Sequence, residues 1–426
     1  CRFIRACSAT PRRAEPYTRP EHLRMALEEL GATFIKLGQI LSTRADLLPP
    51  DYQAELSKLQ DAAPLVPSEV IKETVEAELG RPIHALFAAF DPSPLAAASI
   101  GQAHSATLHC GTEVVVKVRR PGVVDQVEED LQILQELAKA AARRWEFADR
   151  YDVVGLAQEF AKTLEEELDY MHEGRNADRF ASNFEDDPTV HIPRVFWELT
   201  TSRVLTLERI RGIKVDDASS IESNGIDRRA LAENAAAMIL KMVFKDGFFR
   251  ADPHPGNFFI EPGGRIGLID FGMAGTVDEQ TQEQLAELLL AVTTEDAGRL
   301  VDALLDLGVS KQRVSRPLLK RDLEHLISSY YGHPLGEIAL APLLNDAFGV
   351  IREHHLCLPP NLALLVKTIV MSESVGARLD PTFHLTEALV PYARRLMLRQ
   401  YSPSRWKRRL GRASIDLARL AVEMPQ

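Results

Sequence analysis

The chain has 426 residues, 45% of them apolar and 26% charged, which is enough for two or three compact units with sizeable cores. Its formal net charge of −11 argues against general nucleic-acid binding, which favours a basic surface. The four cysteines, Cys1, Cys7, Cys110 and Cys357, form no CxxC pair, so a reducing compartment is expected, with neither a disulfide framework nor a zinc site.

No stretch approaches the roughly 18 consecutive apolar residues of a membrane-spanning helix. The best run, ALLVKTIVM at 363–371, is broken by Lys367 and reads as a buried helix. The chain opens on Cys1 rather than Met and stops inside a helix-like segment, so a piece of a longer protein is expected.

Residues 1–20 are rich in Arg and Pro and are expected to be poorly ordered. Leu23, Leu27, Leu30, Phe34, Leu37 and Leu41 then recur every three or four positions and predict one face of a helix. Further helices are predicted over about 51–60 and 67–79, the latter closed by Gly80. Residues 86–119 read as two or three strands, with a turn at His109-Cys110-Gly111-Thr112 ahead of the β-rich run EVVVKV. Helices follow over 123–145 and 153–182, then a strand, RVLTLERI, at 203–210. From Asp227 the pattern is helical over 228–246, 278–294, 296–307, 316–330, 341–353 and 360–378. A small sheet-bearing lobe followed by a larger helical one is the layout of a protein kinase.

The chemistry concentrates in DGFFRADPHPGNFFIEPGGRIGLIDFG at 246–272. Phosphoryl transfer from a nucleotide needs a carboxylate near the attacking hydroxyl and oxygen ligands for Mg²⁺. Here Asp252 and Asn257 lie on one stretch, and Asp270-Phe271-Gly272 follows the next hairpin, turned at Gly263–Gly264; RAD stands where kinases have HRD. Upstream, Lys117 alternates with apolar neighbours in VVVKV. Alone it reads as a solvent-facing edge lysine. With the downstream residues in order it reads as the lysine of the nucleotide phosphates, which needs a helical Glu. Glu159, Glu165, Glu166, Glu167 and Glu173 compete for that part, and periodicity does not choose among them. The glycine-rich phosphate loop is missing. In its place stands Leu95-Ala96-Ala97-Ala98-Ser99-Ile100-Gly101-Gln102, stiffer because alanine disfavours positive φ.

Together these residues resemble the UbiB family, AarF-type kinase-like proteins tied to ubiquinone biosynthesis, from about Glu21 to Arg378. The motifs that carry the resemblance are KxGQ (Lys36-Leu37-Gly38-Gln39), the Ala-rich loop AAASIGQ, ExD (Glu167-Leu168-Asp169), and DPHPGN at 252–257 with Asp270-Phe271-Gly272. The resemblance implies an α+β, two-lobed kinase-like fold. Its parts would be a basic terminus at 1–20, a helical KxGQ extension at 21–82, an N-lobe at 83–207, a helical C-lobe at 208–392 and a basic segment at 393–426. It makes Glu167 the partner of Lys117, Asp252 the catalytic Asp, and Asn257 and Asp270 the metal ligands. Residues 208–210, including Glu208 and Ile210, become the hinge beside adenine. Lys36 and Gln39 would gate the pocket through Glu167, Asp169 or Glu173, and His254 would be a structural loop residue.

The implied cofactors are ATP and Mg²⁺, and the implied place is the cytoplasmic side of a membrane, in isoprenoid quinone biosynthesis. Family members often carry C-terminal hydrophobic spans, which this chain lacks. Residues 388–415 instead hold Arg394, Arg395, Arg399, Arg405, Lys407, Arg408, Arg409 and Arg412 beside Tyr401 and Trp406, with no acid. Such a segment suits an anionic membrane surface. The leading expectation is an ATP- and Mg²⁺-dependent phosphotransferase or ATPase. The alternative is a nucleotide-switched scaffold that binds a lipid or quinone precursor under the KxGQ helix. A small-molecule kinase of the aminoglycoside or choline type shares the catalytic loop but not the KxGQ and Ala-rich elements.

Overall fold

The computed structural model describes residues 17–42, 44, 46–59, 65–144, 152–251, 254–308, 314–330, 340–356 and 359–389. The expected basic segment at 393–426 and Asp252 lie outside these residues. Thr18 opens α1 (Arg19–Leu30) with a capping box: its hydroxyl accepts from the Glu21 amide, and the Glu21 carboxylate accepts from the Thr18 amide at 2.8 Å. The apolar stripe predicted as one helix is split at Gly31, whose φ of 104° suits glycine, and continues as α2 (Ala32–Ser42). With α3 (Pro50–Leu56), these helices enclose a small core of Leu27, Phe34, Leu56 and Leu59. α4 (Ser68–Leu79) ends at Gly80, as its sequence predicts, and the short α5 (Ile83–Leu86) leads into the sheet.

That sheet is antiparallel in the order β1 (Ala89–Ala97), β2 (Gly101–Thr107), β3 (Glu113–Arg119) and, beyond the two-residue β4 (Val190–His191), β5 (Val204–Glu208). β1 is an edge strand with register shifts around Pro94, because Pro92 and Pro94 cannot donate to a ladder. Alternation along β3 sorts its side chains. Val114, Val116 and Val118 are fully buried and share a core with Ile71 and Val75 of α4, whereas Val115 and Lys117 face a cavity on the other side.

Beyond α6 (Val123–Arg144), the single helix predicted over 153–182 is two, α7 (Val153–Leu168) and α8 (Tyr170–Asn183). The break has a local cause. Asp169 leaves helical geometry to cap α8, accepting from the Met171 amide at 3.0 Å, and the Arg119 guanidinium takes up the freed Leu168 carbonyl.

The helical lobe follows β6 (Ile213–Lys214) and α9 (Ala218–Ser223). It is centred on α10 (Arg228–Phe244), which is buried on nearly every side and packs against a distant helix, α15. β7 (Phe248–Arg250) pairs with β10 (Ala274–Thr276). Between them β8 (Phe258–Ile260) and β9 (Ile266–Leu268) form the expected hairpin, turned at Gly263 and Gly264, with φ of 85° and 83°. Strands of two or three residues are too short to show alternation, and the sequence reading missed most of them. α11 (Glu279–Thr293), α12 (Ala297–Leu307), α13 (Arg316–Ser329), α14 (Leu340–Glu353) and α15 (Pro360–Leu379) complete the described chain close to their predicted bounds. From α15, the buried Thr368 hydroxyl donates to the Arg250 carbonyl at 3.0 Å, where β7 leads into DPHPGN.

Candidate functional site

A cavity of about 770 Å³ opens between the N-lobe sheet and the β8–β9 hairpin. Lys117 reaches into it from β3. Its Nζ lies 2.5 Å from Glu173 Oε1 on α8 and 4.0 Å from Asp270 Oδ1. Burial alone would lower the Lys117 ammonium, but the Glu173 and Asp270 carboxylates outweigh it and hold it above its ordinary value. The partner of Lys117 is therefore Glu173, and the assignment of Glu167 is corrected. Glu167 stands on the last turn of α7, and the α7–α8 break turns Glu173, one helix later, toward β3.

Glu173 also fixes the DFG turn, accepting from the Phe271 amide at 3.2 Å, while Asn176 donates to the Phe271 carbonyl at 2.9 Å. Asp270 accepts from the Gly272 amide at 3.0 Å and from the Asn257 side chain at 3.4 Å. Burial pushes the Asp270 carboxyl up, yet Lys117, Arg250, the Gly272 amide and Lys36 together hold it down at about 2. Asn257 turns its amide nitrogen toward ionised Asp270, so its oxygen joins the carboxylate as a second hard ligand once the amide rotates. Such a pair fits Mg²⁺, which takes few protein ligands and fills its octahedron with phosphate oxygens and water. His254 accepts from the Gly256 amide at 3.1 Å and caps the short turn that presents Asn257.

The Ala-rich segment is the β1–β2 turn, and Leu95, Ala96, Ala98, Ser99, Ile100, Gly101 and Gln102 line the cavity; Ala97 does not. None of them has positive φ, so the loop lacks the left-handed turns that glycine allows. It is instead held from below: Ala98 N donates to Gly101 O at 2.8 Å, and Arg120 bonds Ile100 O through its amide at 2.9 Å and Ala98 O through Nε at 3.1 Å. The Gln102 amide is committed elsewhere, to the Val66 backbone. Gly101 is needed for space, since a Cβ there would fall within the Tyr170 hydroxyl and 2.8 Å from the Val118 carbonyl. Gly101→Ala is expected to cost roughly 1–3 kcal/mol of stability by overpacking. Chemical denaturation would measure it, and an unchanged midpoint would mean that Tyr170 yields freely.

Glu208, the last residue of β5, and Ile210 just past it lie on the cavity wall, and Glu208 accepts from the Arg194 amide at 3.2 Å. Lys36 enters from α2 and forms an ion pair with Glu167, their side chains only 15% and 14% exposed. Such shielding separates this pair from weak surface pairs. Of the other residues expected to gate the pocket, Gln39 donates to the Leu59 carbonyl at 3.2 Å and Asp169 is the α8 cap, so neither faces the cavity. Glu167→Gln keeps the shape and removes the charge; it is expected to raise amide exchange over 32–42. Equal exchange in wild type and variant would show that α2 is held by its apolar contacts instead.

Residues 58–304 match the model of the ABC1 atypical kinase-like domain, and residues 323–384 that of the UbiB helical domain. The chain belongs to the ABC1/UbiB atypical kinase-like family. A protein of Xanthomonas euvesicatoria named “Probable protein kinase UbiB” is 37% identical over 420 residues, covering 96% of this chain and 75% of the relative. “Uncharacterized protein sll1770” of Synechocystis is 36% identical over 95% of this chain and 70% of its own length. Among solved structures, Rv3197 of Mycobacterium tuberculosis, determined as a complex with erythromycin, superposes with a TM-score of 0.58 at 25% identity. It covers 86% of this chain and 93% of that one.

Within this UbiB-type site the sequence reading missed two residues. Tyr170 is buried against Gly101 and lines the cavity, and burial pushes its phenol above the ordinary range. Arg250, the Arg of RAD, is 3% exposed and lies over the rings of Phe258 at 5.2 Å and Phe271 at 5.9 Å. The departure from HRD is visible in sequence; its stacking on the DFG phenylalanine is not.

Proposed function

We propose that this UbiB-type chain is an ATP- and Mg²⁺-dependent phosphotransferase or ATPase that acts at a membrane, in support of isoprenoid quinone biosynthesis. One observation carries the nucleotide part of the reading, the membrane and quinone parts resting on the family resemblance: Lys117, Glu173, Asn257 and Asp270 converge in a single cavity, with Lys117 2.5 Å from Glu173 and 4.0 Å from Asp270. ATP with Mg²⁺ supplies an activated phosphoryl group and offsets the charge that develops on its oxygens. The chain's part is to hold and to exclude. Glu173 holds the Lys117 ammonium where it would meet the nucleotide phosphates, the Ala-rich turn would cover them, and Leu207 and Ile210 would flank the base. Asn257 and Asp270 offer the metal two oxygens. Asp252, from its place in DPHPGN, would orient the attacking hydroxyl or water. By the family pattern, the KxGQ helix α2, tied down by the Lys36–Glu167 pair, would lie across the side where a peptide enters, which favours a small acceptor or water over a protein substrate.

The test is turnover by purified protein with ATP and Mg²⁺, with and without liposomes that carry a quinone-precursor mimic. Turnover that rises with the membrane is the expected result. ATP binding without turnover under every condition would overturn it.

A second reading, a nucleotide-switched lipid-binding scaffold, draws on another feature. α2 turns Lys36 toward the nucleotide cavity and Leu37, Ile40 and Leu41 into an apolar groove of about 510 Å³ shared with Leu134 of α6 and Phe160 of α7. Nucleotide could thus be felt at the groove through one helix. Liposome co-sedimentation that changes with nucleotide, in the absence of hydrolysis, would favour this reading.

A further inference from the structure

The helical domain holds a cavity of its own, away from the nucleotide site. About 260 Å³ of space lies among α11, α13, α14 and α15, walled by side chains such as Leu289, Leu326, Leu344, Phe348, Leu365 and Ile369. Leu288, Leu289, Leu343 and Leu344 are only half-buried around it. Protein interiors pack as densely as organic crystals. A void of this size, faced by leucines on several helices, is too large to be a packing fault between well-fitted side chains. An apolar cavity of about 150 Å³ already admits an aromatic ring and stays free of water.

We propose that this cavity is a ligand site for a single hydrocarbon chain. The lining selects that chemistry. Its polar side chains are Glu295, Tyr330 and Thr386; Glu295 is exposed at the rim, and the Tyr330 hydroxyl already donates to Asp346 at 2.8 Å. The aliphatic walls offer no partner for the N–H and C=O groups of an extended peptide, which would be costly to bury unpaired. A flexible chain of methylene or isoprene units carries no such groups to satisfy, and its polar head is left at the rim near Glu295. The site is separate from the groove beside α2 and does not depend on the nucleotide reading.

The full-length chain would be photolabelled with diazirine-tagged decanol, in competition with unlabelled n-decanol or farnesol. Expected is saturable labelling of peptides from 285–292 or 340–351, and at least tenfold weaker binding in the filling variants Ala347→Trp and Leu289→Phe. Competition by the linear or by the branched alcohol identifies an acyl or an isoprenoid source. Absence of saturable labelling, labelling confined to other segments, or undiminished binding in a filled variant that keeps its helical circular dichroism would overturn the proposal. If one variant fails to fold, the other and the wild-type labelling map still decide.

Discussion

Asp270→Asn is expected to cut Mg²⁺-dependent nucleotide turnover by roughly 10²–10³-fold, the scale lost with one preorganised charged group, while the chain keeps its fold. The side chain can lose its charge without harm to packing. It is 41% exposed, into the cavity, and in the isosteric amide the oxygen still accepts from the Gly272 amide, while the Asn257 side chain, now facing an NH2 group, has to turn its own oxygen toward it. What disappears is the negative charge, which an Asp held at a pKa of about 2 carries at any working pH. Lys117 would then keep Glu173 as its carboxylate partner, and the metal would lose its one ionised ligand among the described residues. Phosphate release titrated with Mg²⁺, alongside circular dichroism, checks both halves of the expectation. Turnover equal to wild type would remove Asp270 from the metal site and with it the kinase-like reading.

Phe180→Ala is expected to destabilise the protein by about 3–5 kcal/mol, the range for emptying a buried phenylalanine site. Phe180 is fully buried on α8, with ring centroids 4.6 Å from Phe248 and 5.7 Å from Phe271. It therefore joins the helix that bears Glu173 to β7 and to the DFG turn. Removing the ring leaves a void beneath Phe271, so nucleotide affinity is expected to fall together with the denaturation midpoint. A loss of stability with affinity unchanged would mean that the hydrogen bonds Phe271 makes, its amide to Glu173 and its carbonyl from Asn176, position the turn by themselves.

Much of this architecture is legible in the sequence, and the exceptions share a cause. Helices with strong periodicity, such as α4, α6 and α12, fall where their apolar positions place them. Lys117 is readable because β3 alternates. The Glu167 assignment failed because the five competing acids lie across a helix break, and that break depends on Asp169 serving as a cap and on Arg119, 49 residues upstream of Leu168, taking the freed carbonyl. A contact of such range leaves no trace in local pattern. Gln39 and Asp169 failed likewise, each drawn into a backbone hydrogen bond that the motif letters do not specify. Arg250 lay in plain view as a departure from HRD, but only folding brings Phe258 and Phe271 beneath it.

The matched regions divide the chain between residues 304 and 323, as though two parts had been joined. The buried bond from Thr368 to the Arg250 carbonyl contradicts that division, and so do Arg228, which donates to the Arg378 carbonyl at 3.1 Å, and Arg229, which pairs with Asp380 at 3.4 Å. The segment of residues 246–272 and the C-terminal helices are thus tied together by polar contacts made from both sides. A helical part taken from a relative would have to meet the same partners on α10 and on the strand that precedes Asp252. A recombinant of two family members would have to be cut elsewhere, ahead of α10, to inherit a matched set.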